Sequence, residues 1–293
     1  MNETVHARVD GGERPSLYVV ATPIGNLGDI TLRAIETLGR VDVIAAEDTR
    51  MTARLLAHHG IGTRLLPLHE HNERRAAQQL VGLLAAGKSV ALVSDAGTPA
   101  VSDPGALAVA VVRAAGYPVV ALPGANAALC ALAASGIDAP HFLFYGFLPP
   151  QASSRRRELE ALKALPHLMV FYEAPHRVAA SIEDMAAVLG ADRGVSIARE
   201  LTKMFESIHR CSLGEARDWL CADVNRPRGE FVLLVDGAPV VDAAQDGEAE
   251  RVLGVLLREL PLRQAVQLCA EISGAGRKKL YARALEIRGA PAD

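Results

Sequence analysis

The chain has 293 residues, half of them apolar and 22% charged, which is the balance of an ordinary globular protein long enough for two or three domains. A formal net charge of −3 excludes a uniformly basic nucleic-acid binder. The four cysteines, Cys130, Cys211, Cys221 and Cys269, lack C-x-x-C spacing and signal neither a disulfide framework nor a zinc knuckle. The first fifteen residues are polar and of mixed charge, unlike a secretory leader. The longest apolar stretch, 109–136, is broken by Arg113, Gly116, Pro118, Pro123 and Gly124, so no membrane partner and a cytoplasmic location are expected.

In chain order, residues 1–16 read as a disordered arm. A strand over Leu17–Ala21 is followed by a helix over Thr31–Leu38, and a strand over Val41–Ala46 by a helix through Met51–His58. Val90–Val93 is the next strand; a loop rich in Gly and Pro leads to a helix over Ala106–Ala115, then to a strand at Val119–Leu122. Strands alternating with helices imply parallel βαβ units, so 17–136 reads as an open α/β domain. Residues 137–236 hold strands at Phe142–Phe147, Leu168–Tyr172, Val195–Arg199 and Phe231–Val235 and a charged helix over Arg155–Leu165, which reads as a second α/β domain with a mixed sheet. Segment 237–250 reads as an acidic linker, because 236–250 has five acidic residues and no basic one. Residues 251–293 are basic and read as a helical tail of helix-turn-helix type, its first helix starting near Glu248 and its last running from Arg277 to Ile287 after the Gly274–Gly276 turn.

In an open α/β sheet ligands bind outside the carboxyl ends of the strands. Four loops lie there: TPIGNLGD (22–29), AEDTR (46–50), SDAGTPAVSDPG (94–105) and LPGANAA (122–128). Taken one at a time, each has the composition of an ordinary turn. Gly25 and Gly28 supply only a G-x-x-G, short of the G-x-G-x-x-G that admits a pyrophosphate. A nucleoside ligand without phosphates, such as S-adenosylmethionine, therefore suits the pattern better than a dinucleotide. The run His69, Glu70, His71, Asn72, Glu73 lacks the spacing of a helical metal site, and no metal is expected.

TPIGNLGDITLRA, AAEDTR, ALVSDAGTPAVSDPG, GFLP (146–149), FYEAPHR (171–177) and ARELTK (198–203) occur in the order found in the tetrapyrrole methylase superfamily, which the chain resembles from about Leu17 to its tail. More narrowly it is similar to the branch that methylates the ribose 2'-hydroxyl of cytidine 1402 in 16S rRNA of the small ribosomal subunit. The resemblance implies two α/β domains with a cofactor cleft between them, a small C-terminal helical unit, S-adenosylmethionine as methyl donor and a homodimer. Carried over by motif, Ala96, Gly97, Thr98, Val101, Asn126, Ala127 and Tyr172 are expected to line the donor. Ala125 and Asn126 depart from the pattern, where proline and a small hydroxyl or thiol residue are usual.

Methyl transfer to a hydroxyl needs positioning and a base, or a cation to steady the forming oxyanion. Asp48, Glu173 and Lys203 are the residues chosen for that chemistry from a wider set of Glu47, Asp48, Arg50, Glu173, His176, Arg177, Glu200 and Lys203. Arg50, Arg155, Arg156, Arg157 and Arg177 are expected to hold RNA phosphates. Two other readings stay open: a tetrapyrrole or other small-molecule methyltransferase on the same scaffold, and an adenosine-ligand sensor that binds DNA through its tail.

Overall fold

The structure is a computed structural model that describes residues 14–239 and 243–289. Most of the expected N-terminal arm and a short stretch of the expected linker lie outside the described residues. The chain divides into two compact units, 1–237 and 238–293.

The first unit begins with a parallel five-stranded sheet of β1 (Leu17–Val20), β2 (Val43–Ala46), β3 (Arg64–Pro67), β4 (Val90–Val93) and β5 (Val119–Leu122), in the order β3-β2-β4-β1-β5. Every residue of β2 and β4 is buried, the pattern of strands covered on both faces. Alternation along each strand assigns side chains to opposite layers. Ile44, Ala46, Ala91 and Val93 pack with Leu38 of α1 (Leu32–Arg40) and with Leu55 and Leu56 of α2 (Thr49–His58). Ala45, Val90 and Leu92 pack instead with Leu80 and Leu84 of α3 (Glu73–Ala85) and with Ala108 and Val112 of α4 (Ala106–Ala114). The Thr31 hydroxyl caps α1 by accepting from the Ala34 N–H at 3.1 Å, so this helix starts one residue after the expected Thr31.

The second sheet is mixed, as its sequence implies. Its strands are β6 (Phe142–Phe147), β7 (Leu168–Glu173), β8 (Gly194–Arg199), β9 (Ser207–Ser212) and β10 (Phe231–Val235), in the order β6-β7-β10-β8-β9, with β6 and β7 parallel and the other pairs antiparallel. One face carries Met169, Phe171, Ile197 and Leu233 against α6 (Ala152–Leu162), α7 (Val178–Leu189) and α8 (Leu213–Cys221). The other face carries Leu168, Val170, Ala198 and Leu234, and it is covered by Ala128 and Ala131 of α5 (Ala127–Ala134). Helix α5 follows β5 directly, so one short apolar helix joins the two sheets into a single unit. Helix α6 begins three residues earlier than the expected Arg155 and ends at Leu162. Pro166 disfavours helix at Leu165, and the chain must straighten to enter β7.

The C-terminal unit consists of α9 (Ala243–Glu259), α10 (Leu262–Ser273) and α11 (Arg277–Arg288) around buried Leu253, Leu257, Val266, Cys269 and Leu280. Helix α9 starts at Ala243, not near Glu248, so half of the acidic segment read as a linker is helical. Alanine's high helix propensity explains this better than charge content does. Gly274, at φ +71°, ends α10 in a left-handed conformation that suits glycine.

Candidate active site

The loops after β1 and β4 are tied together at the carboxyl edge of the first sheet. Thr22 and Gly97 exchange two backbone hydrogen bonds, at 2.9 and 3.0 Å, and the Thr22 hydroxyl donates to the Ser94 carbonyl at 3.0 Å. Gly97 sits at φ +80°, which a side chain would strain. The Thr98 hydroxyl donates to the Ala125 carbonyl at 3.1 Å and so brings in the loop after β5. Further along, Ala100 and Ser102 hold φ of +67° and +64°, a cost of about 1 kcal/mol each that the surrounding structure must sustain. Part of that support comes from Glu73. One of its carboxylate oxygens accepts from the N–H groups of Gly105, Leu107 and Ala108 at 2.8, 3.0 and 3.3 Å, and caps α4. Glu73 thus belongs to the scaffold of this loop.

Facing these loops, the second sheet and the segments next to its strands contribute Phe147, Tyr172, Leu201 and Glu230, and the open-mouthed cavity between them measures about 360 Å³. Ala96, Gly97, Thr98, Val101, Asn126, Ala127 and Tyr172 all line it. Asn126 explains the departure noted at its position: its side-chain oxygen accepts from the Leu129 N–H at 3.2 Å and caps α5. The Tyr172 hydroxyl accepts from the Ala128 N–H at 3.3 Å in the first turn of the same helix, and burial pushes its pKa up.

The three residues chosen for chemistry fall in different surroundings. Asp48 does not line the cavity. It caps α2, accepts from the Arg50 N–H at 2.8 Å and takes the Arg50 guanidinium at 2.7 and 3.1 Å, which holds its carboxyl down at about 2. Glu173 lines the cavity but is saturated: one oxygen accepts from Arg177 Nε and Nη2 at 2.8 and 2.6 Å and from the Ala174 N–H, the other from the Ser181 hydroxyl at 2.5 Å. Lys203 lies between Glu200 and Glu230 at 2.9 and 2.8 Å; burial pulls its pKa down, but the two carboxylates outweigh it and the net shift is upward. The net shift at Glu200 is downward, the Lys203 and Glu230 hydrogen bonds overcoming burial.

Of the arginines expected on RNA, Arg50 and Arg157 are exposed, while Arg155 is 4% exposed and Arg177 is spent on Glu173. Arg155 reaches Asp184 through Nε at 2.7 Å and Nη2 at 2.5 Å and donates to the Pro150 carbonyl at 3.1 Å. Arg156 takes the other oxygen of Asp184 at 2.6 Å, with most of its side chain in solvent. A buried, doubly engaged guanidinium is not available to a phosphate, so Arg155 is a framework residue. His176 is exposed at the tip of its turn.

Sequence reasoning missed Asp103, Ser102, Phe147 and Glu230, all of which line the cavity. Asp103 lies inside a motif already singled out; burial, with the carboxylates of Glu47 and Asp95 beside it, raises its pKa to about 6. Glu47 is raised in the same direction, chiefly by burial. Among the described residues the cavity wall contains three carboxylates and no lysine, arginine or histidine.

Residues 16–217 match the family of Tetrapyrrole (Corrin/Porphyrin) Methylases, and 243–288 match the RsmI C-terminal HTH domain. The curated protein named ribosomal RNA small subunit methyltransferase I from Escherichia coli O157:H7 is 50% identical over 273 residues, 93% of this chain and 96% of its own. The chain belongs to the ribosomal RNA small subunit methyltransferase I family of tetrapyrrole methylases. A second family member, from Pseudomonas aeruginosa, is 48% identical over 94% of this chain and 98% of its own. Among solved structures, the methyltransferase CobJ aligns with a TM-score of 0.58 at 21% identity, over 76% of this chain and 95% of its own. Uroporphyrin-III-C-methyltransferase from Thermus thermophilus aligns at 0.55 and 19% identity, over 80% and 98%. At those identities the structures share the fold with the rRNA methyltransferase I family, and the full-length relatives carry the closer likeness.

Proposed function

We propose that the chain transfers a methyl group from S-adenosylmethionine to the ribose 2'-hydroxyl of cytidine 1402 in 16S rRNA. The observation that carries this is the near-50% identity to rRNA methyltransferases, continuous across the α/β unit and the C-terminal helices. The cavity supports the donor: its volume is that of a small-ligand site, and a wall with carboxylates but no cations suits a sulfonium and an ammonium better than a phosphate. Ala96, Gly97, Thr98, Val101, Asn126, Ala127 and Tyr172 would hold the donor. Arg50 and Arg157, both exposed, and Arg156 at its solvent end would meet RNA phosphates. Lys203, kept protonated by two acids, suits a cation at the cavity edge and not a base. A homodimer and a cytoplasmic location belong to the same reading; among the described residues no helix is long and apolar enough to cross a membrane.

The deciding experiment supplies labelled S-adenosylmethionine with undermethylated 30S subunits, naked 16S rRNA or a porphyrinoid. Label is expected at one ribose of the RNA. Label in the porphyrinoid alone refutes the reading, and DNA binding without methyl transfer favours the sensor. Light scattering gives the mass that tests the dimer.

A further inference from the structure

The three carboxylates on the cavity wall differ in what they are already bound to. Glu173 is neutralised by Arg177 and has no free oxygen. Glu230 accepts from the Lys203 ammonium. Asp103 is half-buried, and the charged groups acting on it, Glu47 from the end of β2 and Asp95 from the loop after β4, share its sign. Tyr172 on β7 is the remaining titratable group facing it, and burial raises that phenol, so it stays neutral. Beneath this cluster the Ser94 hydroxyl is buried and lacks a hydrogen-bond partner of good geometry, although it lies near enough to hold Asp103 partly in its charged form. The loop that carries Asp103 is built at some cost: Ser102, its neighbour, is at positive φ, and a Cβ on Gly146 of β6 would fall 2.8 Å from the Ser102 hydroxyl. Strain concentrated in a loop that presents one unpaired acid to a cavity is the pattern of a preorganised functional group.

We infer that Asp103 is the proton acceptor for the hydroxyl that is methylated, an assignment that rests on the proposed methyl transfer. The O–H bond breaks with its proton passing to the Asp103 carboxylate. The oxygen's electron pair forms the new bond to the methyl carbon, and the carbon–sulfur pair leaves with sulfur. One hydroxyl, one sulfonium and one carboxylate become one methyl ether, one neutral thioether and one carboxylic acid, which later releases its proton to solvent. Because burial and two like charges make the proton welcome, Asp103 is a stronger base than an exposed aspartate and is still ionised at neutral pH. Asp48 and Glu173 lack one condition each: the first lies off the cavity wall, the second is ion-paired with Arg177 on one oxygen and takes the Ser181 hydroxyl on the other.

The test uses the full chain, labelled S-adenosylmethionine and undermethylated 30S subunits, comparing wild type with Asp103→Asn and Asp103→Glu. Donor affinity is measured separately, by equilibrium dialysis without RNA. Asp103→Asn is expected to lower kcat on the order of a hundredfold or more while donor affinity stays within about threefold. Wild-type kcat/KM falls with unit slope as pH drops through about 6, where Asp103 of the free enzyme takes up its proton, and that limb disappears from the residual activity of the Asn variant. Asp103→Glu restores part of the activity together with an acid limb. Asn-variant turnover within about fivefold of wild type, or persistence of the acid limb in that variant, overturns the assignment. Should Asp103→Asn fail to bind donor, the Glu variant decides: partial activity with an acid limb and donor affinity intact supports the assignment, and inactivity with donor affinity intact, or full activity without an acid limb, refutes it. If wild type labels no RNA the proposed function itself has failed, whereas equal labelling by wild type and the Asn variant removes only the base.

Discussion

Arg155 and Arg157 stand two residues apart in one basic run, and the structure predicts opposite consequences for their removal. Arg155→Ala takes away the Nε and Nη2 bonds to Asp184 at 2.7 and 2.5 Å and the bond to the Pro150 carbonyl. Asp184, with its side chain 4% exposed, keeps Arg156 on one oxygen and loses every partner on the other. Removing one member of a buried pair costs about 3–5 kcal/mol, and the surviving Arg156 bond puts this case near the low end, about 3 kcal/mol. At roughly 2–4 °C per kcal/mol for a chain of this size class, the melting temperature should fall by about 6–12 °C. Arg157→Ala, an exposed substitution, should stay within about 0.5 kcal/mol of wild type. Thermal melts followed by circular dichroism read the first difference. Filter binding to 16S rRNA across salt reads the second: losing one phosphate contact flattens the salt slope by roughly 0.7 to 1. An Arg155→Ala protein that melts with wild type and binds RNA more weakly would show that this guanidinium does not serve the framework.

Gly97→Val adds branched bulk at φ +80°, where a Cβ already stands 3.4 Å from Ile24 Cγ2, and dialysis should find S-adenosylmethionine bound at least about tenfold more weakly; equal affinity would contradict the close-approach argument. Glu173→Gln unpairs Arg177, so the melting temperature should drop by several degrees while the pH profile of residual turnover keeps its wild-type shape; a pH-independent turnover would instead make Glu173 the base. Leu253→Ala empties a fully buried site in the C-terminal unit at a cost of about 2–5 kcal/mol, so hydrogen exchange should quicken in α9, α10 and α11 with donor affinity unchanged. Because the Asp48 carboxyl is held at about 2, below its unfolded value, its cap is fully present above about pH 4 and is lost as pH falls toward 2. Amide exchange in the first turn of α2 should accelerate through that window, and Asp48→Asn should remove the pH dependence.

The strands readable from sequence are largely apolar runs, buried throughout as in VALV and FVLLV or partly exposed at a sheet edge as in FLFYGF. LYVV, VIAA, VALV and FVLLV lie at or near the middle of their sheets and had to be apolar on both faces. The two unread strands, β3 and β9, are edges. RLLP is short and ends in proline, SIHRCS is largely polar, and pairing with a neighbour, not burial, is what makes either one a strand. The loops around the cavity were legible because strand ends are local features. What each loop residue does was not, since it depends on partners far along the chain. Arg155 reads as surface charge until Asp184, twenty-nine residues on, is brought against it. Glu73 reads as one of a polar run until the N-terminus of α4 arrives at its carboxylate. Asp103 was visible in its motif, but only folding reveals that Glu173 and Glu230 acquire cations and Asp103 does not.

That difference bears on why this scaffold suits the proposed donor. A site for a pyrophosphate-bearing cofactor offers helix N-termini or cations to oxygen, whereas here Glu73 takes three N–H groups at the start of α4, and Asn126 and Tyr172 take one each at the start of α5. The wall is left with carboxylates whose own cations are Arg177 and Lys203, and with Asp103, which has none. As the hydroxyl proton passes to Asp103 the acid becomes neutral in the same step that makes the sulfur neutral, so the site loses one charge of each sign together. The same acid would repel an RNA phosphate, so on this reading the backbone must be held away from the cavity by exposed cations such as Arg50, with only the target ribose presented to Asp103.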